Sequence, residues 1–294
     1  MSETSFYENL IYLLFTHDCP VSLCLAFVFG SLCGSFLNVC VYRIPIGRSI
    51  VLPASSCFSC GEPVKPHFNI PIIGYLMLGG RCHDCGSPFS GRYALVEFIA
   101  GCCSCLLFYV YGGFSLSYFY WFAFFCILAV VFLIDLDHWL ILDSVIFPAA
   151  VFAFSAGLFI CSKQFSGFWV QSFFPALPSD PCWRSCFDSV AGGLFGFALF
   201  TMISFFGSLV FRREAMGGGD IKFAFLIGIF LGIGKAAEAF FLSFIIGALL
   251  LAPFMIFMKK SGKAPVPFGT FMAIGAFIAM LFGDYLRDWF FSLY

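Results

Sequence analysis

Charged residues are scarce in this sequence. Asp, Glu, Lys and Arg make up 11% of its 294 residues, against roughly 25% in a soluble domain, and that shortage excludes an ordinary soluble globular fold. The charges nearly balance, at a net −1, a total that by itself says nothing about nucleic acid; no nucleic-acid partner is expected of this chain. Residues 1–20 lack a positive n-region and carry Glu3, Glu8 and Asp18, so no cleavable signal peptide is expected. A Rossmann-type glycine fingerprint is also missing, which leaves no dinucleotide-type site legible. The two halves show no internal repeat, which speaks against a transporter built from repeated units.

What the chain has in quantity is apolar bulk: 61% hydrophobic residues, including 45 phenylalanines. Apolar runs at 21–42, 93–111, 114–134, 140–161, 187–211, 221–234, 239–258 and 268–282 each read as a crossing of a lipid bilayer, for which about 20 residues are needed. The reading is an all-α polytopic membrane protein with about eight transmembrane helices, the short run at 221–234 being the weakest of them. Gly30, Ser31, Gly34 and Ser35 give the first run small residues at helical spacing, suited to close helix packing. Basic residues set the orientation. With the N-terminus outside, only Lys163, Arg184, Lys235 and Arg287 of the fifteen Lys and Arg fall on the outer face. Both termini are then outside, and the polar segment 43–92 is a cytoplasmic loop between the first two helices.

Fifteen cysteines need sorting. Cys24, Cys33, Cys40, Cys102, Cys103, Cys105 and Cys126 lie in apolar runs, where a free thiol behaves as a small hydrophobe. Cys182 and Cys186 lie towards the outer face, where a disulfide is conceivable. Cys57-Phe-Ser-Cys60 and Cys82-His-Asp-Cys85 sit in the polar loop, with a spacing close to that of four-thiolate structural zinc. A cytosolic loop keeps thiols reduced, and this one is too small and polar to hold a core without a staple. Two disulfides or redox pairs are the alternative. Four thiolates leave no open coordination position, so the metal would fold the loop rather than catalyse. His83 reads as a bystander.

The other polar islands are carboxylates. Glu214-Ala-Met-Gly-Gly-Gly-Asp-Ile-Lys222 places Asp220 directly after Gly217, Gly218 and Gly219 at the edge of apolar chain. Glycine triplets are poor helix formers and mark places where another backbone comes close. An ionisable residue there is a functional hypothesis; the plainer reading is a turn in which Asp220 caps the next helix. Asp135, Asp137 and Asp143 form a second cluster, and on the orientation above both clusters meet the cytoplasmic face. A carboxylate pair hydrolyses a peptide bond when one member is ionised and takes a proton from water while the other donates to the carbonyl oxygen. Asp137 points away from Asp135 on a continuous helix. Asp143 is about 80° round from it and remains a candidate partner.

These motifs resemble those of the bacterial prepilin peptidases, the bifunctional leader peptidases and N-methyltransferases of type IV pili and type II secretion, which are GxGD-type intramembrane aspartic proteases. The resemblance covers most of the chain. It is carried by Gly34-Ser-Phe-Leu-Asn-Val-Cys-Val-Tyr-Arg-Ile-Pro45, Arg48-Ser49, both CxxC pairs, Asn69-Ile-Pro71, Gly80-Arg-Cys82 and Ser90-Gly-Arg-Tyr-Ala-Leu-Val-Glu97. Further on it is carried by Ile134-Asp-Leu-Asp-His138, Glu214 to Lys222, and Pro267-Phe-Gly269. The resemblance implies a catalytic pair of Asp135 and Asp220, supported by the three glycines, Glu214 and Asp143. It implies S-adenosylmethionine as methyl donor, at a site loosely placed on the zinc-stapled loop and adjoining helix ends. It implies prepilin or pseudopilin precursors as substrates and the bacterial inner membrane as location. Residues 1–97 would serve methyl transfer and 98–294 the peptidase. Glu97 and Glu214 are possible contacts for a basic leader. Two departures are visible: Leu142 and Ala94 stand where the family usually has proline, the first of which bears on the helix break after Asp135.

An ion- or proton-coupled transporter also carries intramembrane aspartates. The missing repeat and the four-cysteine loop count against it. A non-catalytic assembly scaffold would not need both aspartates.

Overall fold

The computed structural model describes residues 20–160, 181–212, 216–258 and 267–292. Among them are eight α-helices and no strand: α1 (Pro20–Arg43), α2 (Ile73–Leu78), α3 (Arg92–Val110), α4 (Leu116–His138), α5 (Asp143–Ile160), α6 (Pro181–Phe211), α7 (Gly218–Met258) and α8 (Phe268–Ser292). Six are long and apolar enough to cross a membrane, and α5 adds a shorter apolar stretch, Asp143–Gly157. The chain forms two compact units, Met1–Cys126 and Ile127–Tyr294, divided within α4.

In the first unit the small residues of α1 let α3 approach it. A Cβ on Gly34 would lie 2.8 Å from the Cα of Glu97, a separation only glycine permits. The Ser104 hydroxyl donates to the Ala26 carbonyl at 2.6 Å and pairs with the Tyr118 hydroxyl at 2.7 Å. Phe29, Phe108, Phe114, Tyr118 and Phe122 pack ring on ring around that junction. The polar groups satisfy one another where water is excluded, and the aromatic cluster supplies the apolar burial around them.

The second unit is organised by α7, whose two helical arms meet at a non-helical residue, Gly232 at φ 73, ψ 174. Along α6, Ala224 lies at Gly196, Gly228 at Gly192 and Gly232 at Asp188, so the first arm of α7 runs antiparallel to α6. Beyond Gly232 the order reverses: Phe240 meets Phe200 edge-on at 5.0 Å and Phe244 stacks on it at 6.0 Å, back up the same helix. α7 therefore doubles back at Gly232. The positive φ costs glycine nothing, and the Asp188 carboxylate accepts the Ile233 N–H at 3.0 Å, capping the returning arm. That arm then packs on α8, with Ala239 and Ser243 against Gly275.

Each apolar run of the sequence thus coincides with a helical segment, but several limits move. The turn expected at 235–238 falls at Gly232, because Lys235 pairs with Asp284 on α8 at 2.7 Å and stays helical. α8 runs to Ser292 rather than 282, its charged end held by Arg287 bonding to Asp284 and Asp288 at 3.1 and 3.4 Å. α6 starts at Pro181 rather than 187, proline being well tolerated in a first turn. Lys163, Arg213, Lys259, Lys260 and Lys263, which entered the orientation argument, lie outside the described residues, as does the Cys182 side chain of the suggested disulfide.

Candidate functional site

α4 buries one face down to Asp135, which is 4% exposed. The helix ends three residues later, because Trp139 adopts φ 56 and its N–H still reaches the Asp135 carbonyl at 2.9 Å. The break therefore forms without proline. Leu142 lies just before α5, where its carbonyl accepts the N–H groups of Val145 and Ile146 at 3.0 and 3.2 Å.

Asp135 meets the start of α8. Its Oδ2 accepts the Thr270 N–H at 2.7 Å and the Thr270 hydroxyl at 3.0 Å. A first-turn N–H has no partner within its own helix, so a carboxylate from α4 satisfies it. The approach depends on Gly269: a Cβ there would lie 2.9 Å from Asp135 Oδ2 and 2.8 Å from Ile141 Cδ1.

Asp220 is the third residue of α7, half-buried, with its N–H donated to the Gly217 carbonyl at 3.2 Å. Gly219, just before Asp220, and Gly269, beside Asp135, both close on Ile141, so the chain at Asp220 and the chain at Asp135 meet at one side chain. Of the preceding glycines, Gly219 packs on Ile141, where a Cβ would come within 2.9 Å of another Cβ, whereas Gly218 meets nothing within 4 Å. Asp143 takes a different place. It accepts Lys222 Nζ at 2.7 and 2.8 Å, joining the first turn of α5 to that of α7. Asp137 is exposed, and Glu214 lies outside the described residues. Glu97 is buried and accepts the Ile72 N–H at 2.7 Å, where Ile72 starts α2 at φ 63; this is a structural task. Two residues of this unit were not singled out from sequence. Thr270 directly follows Pro267-Phe-Gly269, and Asp188 is a lone carboxylate in an apolar run.

In the first unit Cys57, Cys60, Cys82 and Cys85 come together with their sulfurs all within 4.8 Å of one another. None is bonded to another sulfur in this structure. Cys57 and Cys85 lie 3.8 Å apart, the edge of a tetrahedron with Zn–S bonds of about 2.3 Å. The two knuckles repeat each other as Cys-x-x-Cys-Gly-x-Pro. In each, a glycine at φ 76 (Gly61) or 69 (Gly86) donates to the carbonyl of the first cysteine, at 2.9 and 3.0 Å. Matching bridges join Ser56 to Pro63 and Arg81 to Pro88. Donors converge on two of the sulfurs: the N–H groups of Cys60 and then Ser59 draw the Cys57 thiol down to about 6, and Ser87 lowers that of Cys85, whereas against a lowering bond from the Glu62 backbone, burial and the neighbouring thiols push Cys60 up to about 12. Such donors favour thiolates, the form that binds a metal. The donor set and its geometry fit zinc. His83 is engaged with Asp84 at 3.0 Å and is not among the four.

Beside the knuckles is a cavity of about 640 Å³, lined by both of them and by the facing ends of α1 and α3, including Ser35, Asn38, Tyr42, Phe58, Phe68 and His83.

Residues 28–111 match the model of the bacterial peptidase A24 N-terminal domain, and residues 122–252 that of the type IV leader peptidase family. Curated relatives include three proteins called prepilin leader peptidase/N-methyltransferase. The one from Bacillus subtilis (strain 168) is 32% identical over 89% of this chain and 95% of its own length. That from Pseudomonas aeruginosa is 29% identical over 94% and 95%, and that from Pseudomonas putida 31% over 88% and 90%. No solved structure matches the chain.

Proposed function

The chain belongs to the type IV leader peptidase family, and from that premise we propose that it cuts the short basic leader from type IV prepilin or type II pseudopilin precursors with an aspartate pair, Asp135 and Asp220. The observation that carries this reading is that the end of α4, with its buried Asp135 carboxyl, and the start of α7, with Asp220, both close on Ile141. Two carboxyls so placed share one proton. The ionised member takes a proton from a water as that water's oxygen bonds to the scissile carbonyl carbon, while the protonated member gives its proton to the carbonyl oxygen. Collapse of the resulting diol breaks the C–N bond: the leaving nitrogen takes up the proton held by the first carboxyl, and a diol hydroxyl returns its proton to the second as the new carboxyl group forms. Gly218, which meets nothing within 4 Å, leaves an extended substrate backbone room to approach. Asp143, paired with Lys222, holds the two helix starts together.

Residues 98–294 are assigned this activity and residues 1–97 methyl transfer to the new N-terminal amine, usually of phenylalanine. Cys57, Cys60, Cys82 and Cys85 would hold zinc, which folds the loop. S-adenosylmethionine, when bound, supplies the methyl group. The site faces the cytoplasm of the bacterial inner membrane, with both termini outside, as the basic residues suggest.

The test is cleavage of a pilin-like precursor by wild type, Asp135→Asn and Asp220→Asn, with mass spectrometry of the product. Asparagine keeps the shape but neither accepts nor releases the shared proton, so both variants should fail to cut, and the wild-type product should be heavier by one methyl group. Wild-type rates in either variant would overturn the pair.

A further inference from the structure

The cavity beside the knuckles is built in a way that suits one kind of ligand. Each knuckle carries an aromatic ring between its two metal ligands: Phe58 between Cys57 and Cys60, His83 between Cys82 and Cys85. Each ring meets a partner from outside its knuckle. Phe58 packs edge-on against Tyr42, at the end of α1, with centroids 4.8 Å apart. His83 lies against Phe68, in the 3-10 turn Pro66–Asn69, at 5.1 Å. All four line the cavity, whose volume is within the roughly 300–1,000 Å³ of small-molecule sites. Phe58 is 64% exposed, a cost in water that a ligand covering it would remove. Aromatic faces attract cations, and the lining carboxylates Glu62 and Asp84 act in the same sense. Three cations also line it, Arg43, Arg48 and Lys65, of which Arg43 is engaged with the Ser49 and Ala54 carbonyls, at 3.0 and 3.5 Å.

We propose that this cavity is the methyl-donor site, and that the Tyr42–Phe58 and Phe68–His83 pairs recognise the positive charge of a sulfonium nucleoside. This rests on the methyl-transfer reading of the N-terminal part. It also makes the metal a condition of donor binding, because both knuckle rings are held in place by zinc ligands.

Binding of S-adenosylmethionine and of its neutral product, S-adenosylhomocysteine, should be measured on the full-length, zinc-loaded protein in detergent. The wild type should bind the sulfonium form more tightly than the thioether. Phe58→Ala should weaken the sulfonium form about tenfold and narrow the preference, while Phe58→Trp keeps it. Zinc content reports folding, and Phe58→Ala should keep one zinc per chain. Chelation should abolish binding of both ligands. A wild type that binds neither ligand overturns the methyl-transfer reading and this proposal with it. A wild type that binds the donor, with Phe58→Ala and Tyr42→Ala at full affinity, overturns the location alone. Competition by a nucleoside triphosphate, with no preference between the two forms, would show an anion site served by Arg48 and Lys65 instead and would also overturn the proposal.

Discussion

The cysteine cluster takes all four ligands from one polar loop, each knuckle closed by its own hydrogen bonds, with Cys60 and Cys85 exposed. The aspartate site takes Asp135, Asp220 and Thr270 from three helices far apart in the chain, and Asp135 is buried. The loop has little core, so on the zinc reading it should fail when the metal is taken away. The aspartate site is held by close packing, so it should fail when a single carbon is put in the wrong place.

The largest effect expected is on the aspartates themselves. Asp135→Asn and Asp220→Asn should each lower cleavage by roughly 10²–10⁴-fold, the range for general acid–base groups, while zinc content measured by atomic absorption stays at the wild-type level. Loss of zinc in either variant would break the comparison, because the two sites would then depend on each other.

Next in size is Gly269→Ala. The added Cβ would meet Ile141 Cδ1, the end of a flexible side chain, at 2.8 Å and Asp135 Oδ2, held by its two bonds to Thr270, at 2.9 Å, so the carboxyl must shift. Misplacing a catalytic group by about 1 Å costs up to roughly 10²-fold. A drop of at least about tenfold in kcat is expected, and a wild-type kcat would show that Asp135 is not held as described.

The converse test is on the loop. A strong chelator should release one zinc per chain and make residues 44–91 sensitive to limited proteolysis, with a smaller loss of cleavage than Gly269→Ala causes. Unchanged proteolysis after zinc release would mean that the loop holds itself together.

The same contrast decides what could be read without a structure. Two CxxC pairs name their partners by spacing, and the four sulfurs do meet. Helices announced themselves through apolar runs, and the close approach of α1 and α3 through Gly30 and Gly34. The proline missing at Leu142 misled little, since Trp139 supplies the break by its own positive φ. The reversal at Gly232 was misplaced by a few residues: charge at Lys235 and Glu238 suggests a boundary, but Lys235 has an ion partner on another helix, which no local pattern reveals. Thr270 and Asp188 were passed over for the same reason. Their roles are contacts with residues 135 and 45 positions away, and nothing beside them in sequence says so.

Asp188→Ala sharpens this point at a smaller scale. It removes a buried acceptor from the Ile233 N–H at the turn of α7, and an orphaned buried donor costs about 1–3 kcal/mol. The thermal midpoint in detergent should fall by a few degrees, and cleavage at low temperature should fall much less than in Gly269→Ala. A loss of cutting as deep as in Asp220→Asn would make Asp188 part of the chemistry.

The smallest effect is the one that separates Asp143 from the pair. Its ion pair with Lys222 is short, 2.7 Å, but the side chains are 52% and 41% exposed, and such pairs contribute about 0.2–1 kcal/mol. Lys222→Met should therefore change the thermal midpoint only slightly, and less still at high salt, where exposed charges are screened. Asp143→Asn keeps a weaker bond to Lys222 and should retain most of the cleavage rate, because Asp143 is engaged by a cation in solvent whereas Asp135 is buried and bonded to the start of α8. Abolition of cutting by Asp143→Asn, with the thermal midpoint unchanged, would move the proton-sharing pair to Asp143 and reduce Asp135 or Asp220 to a structural anchor.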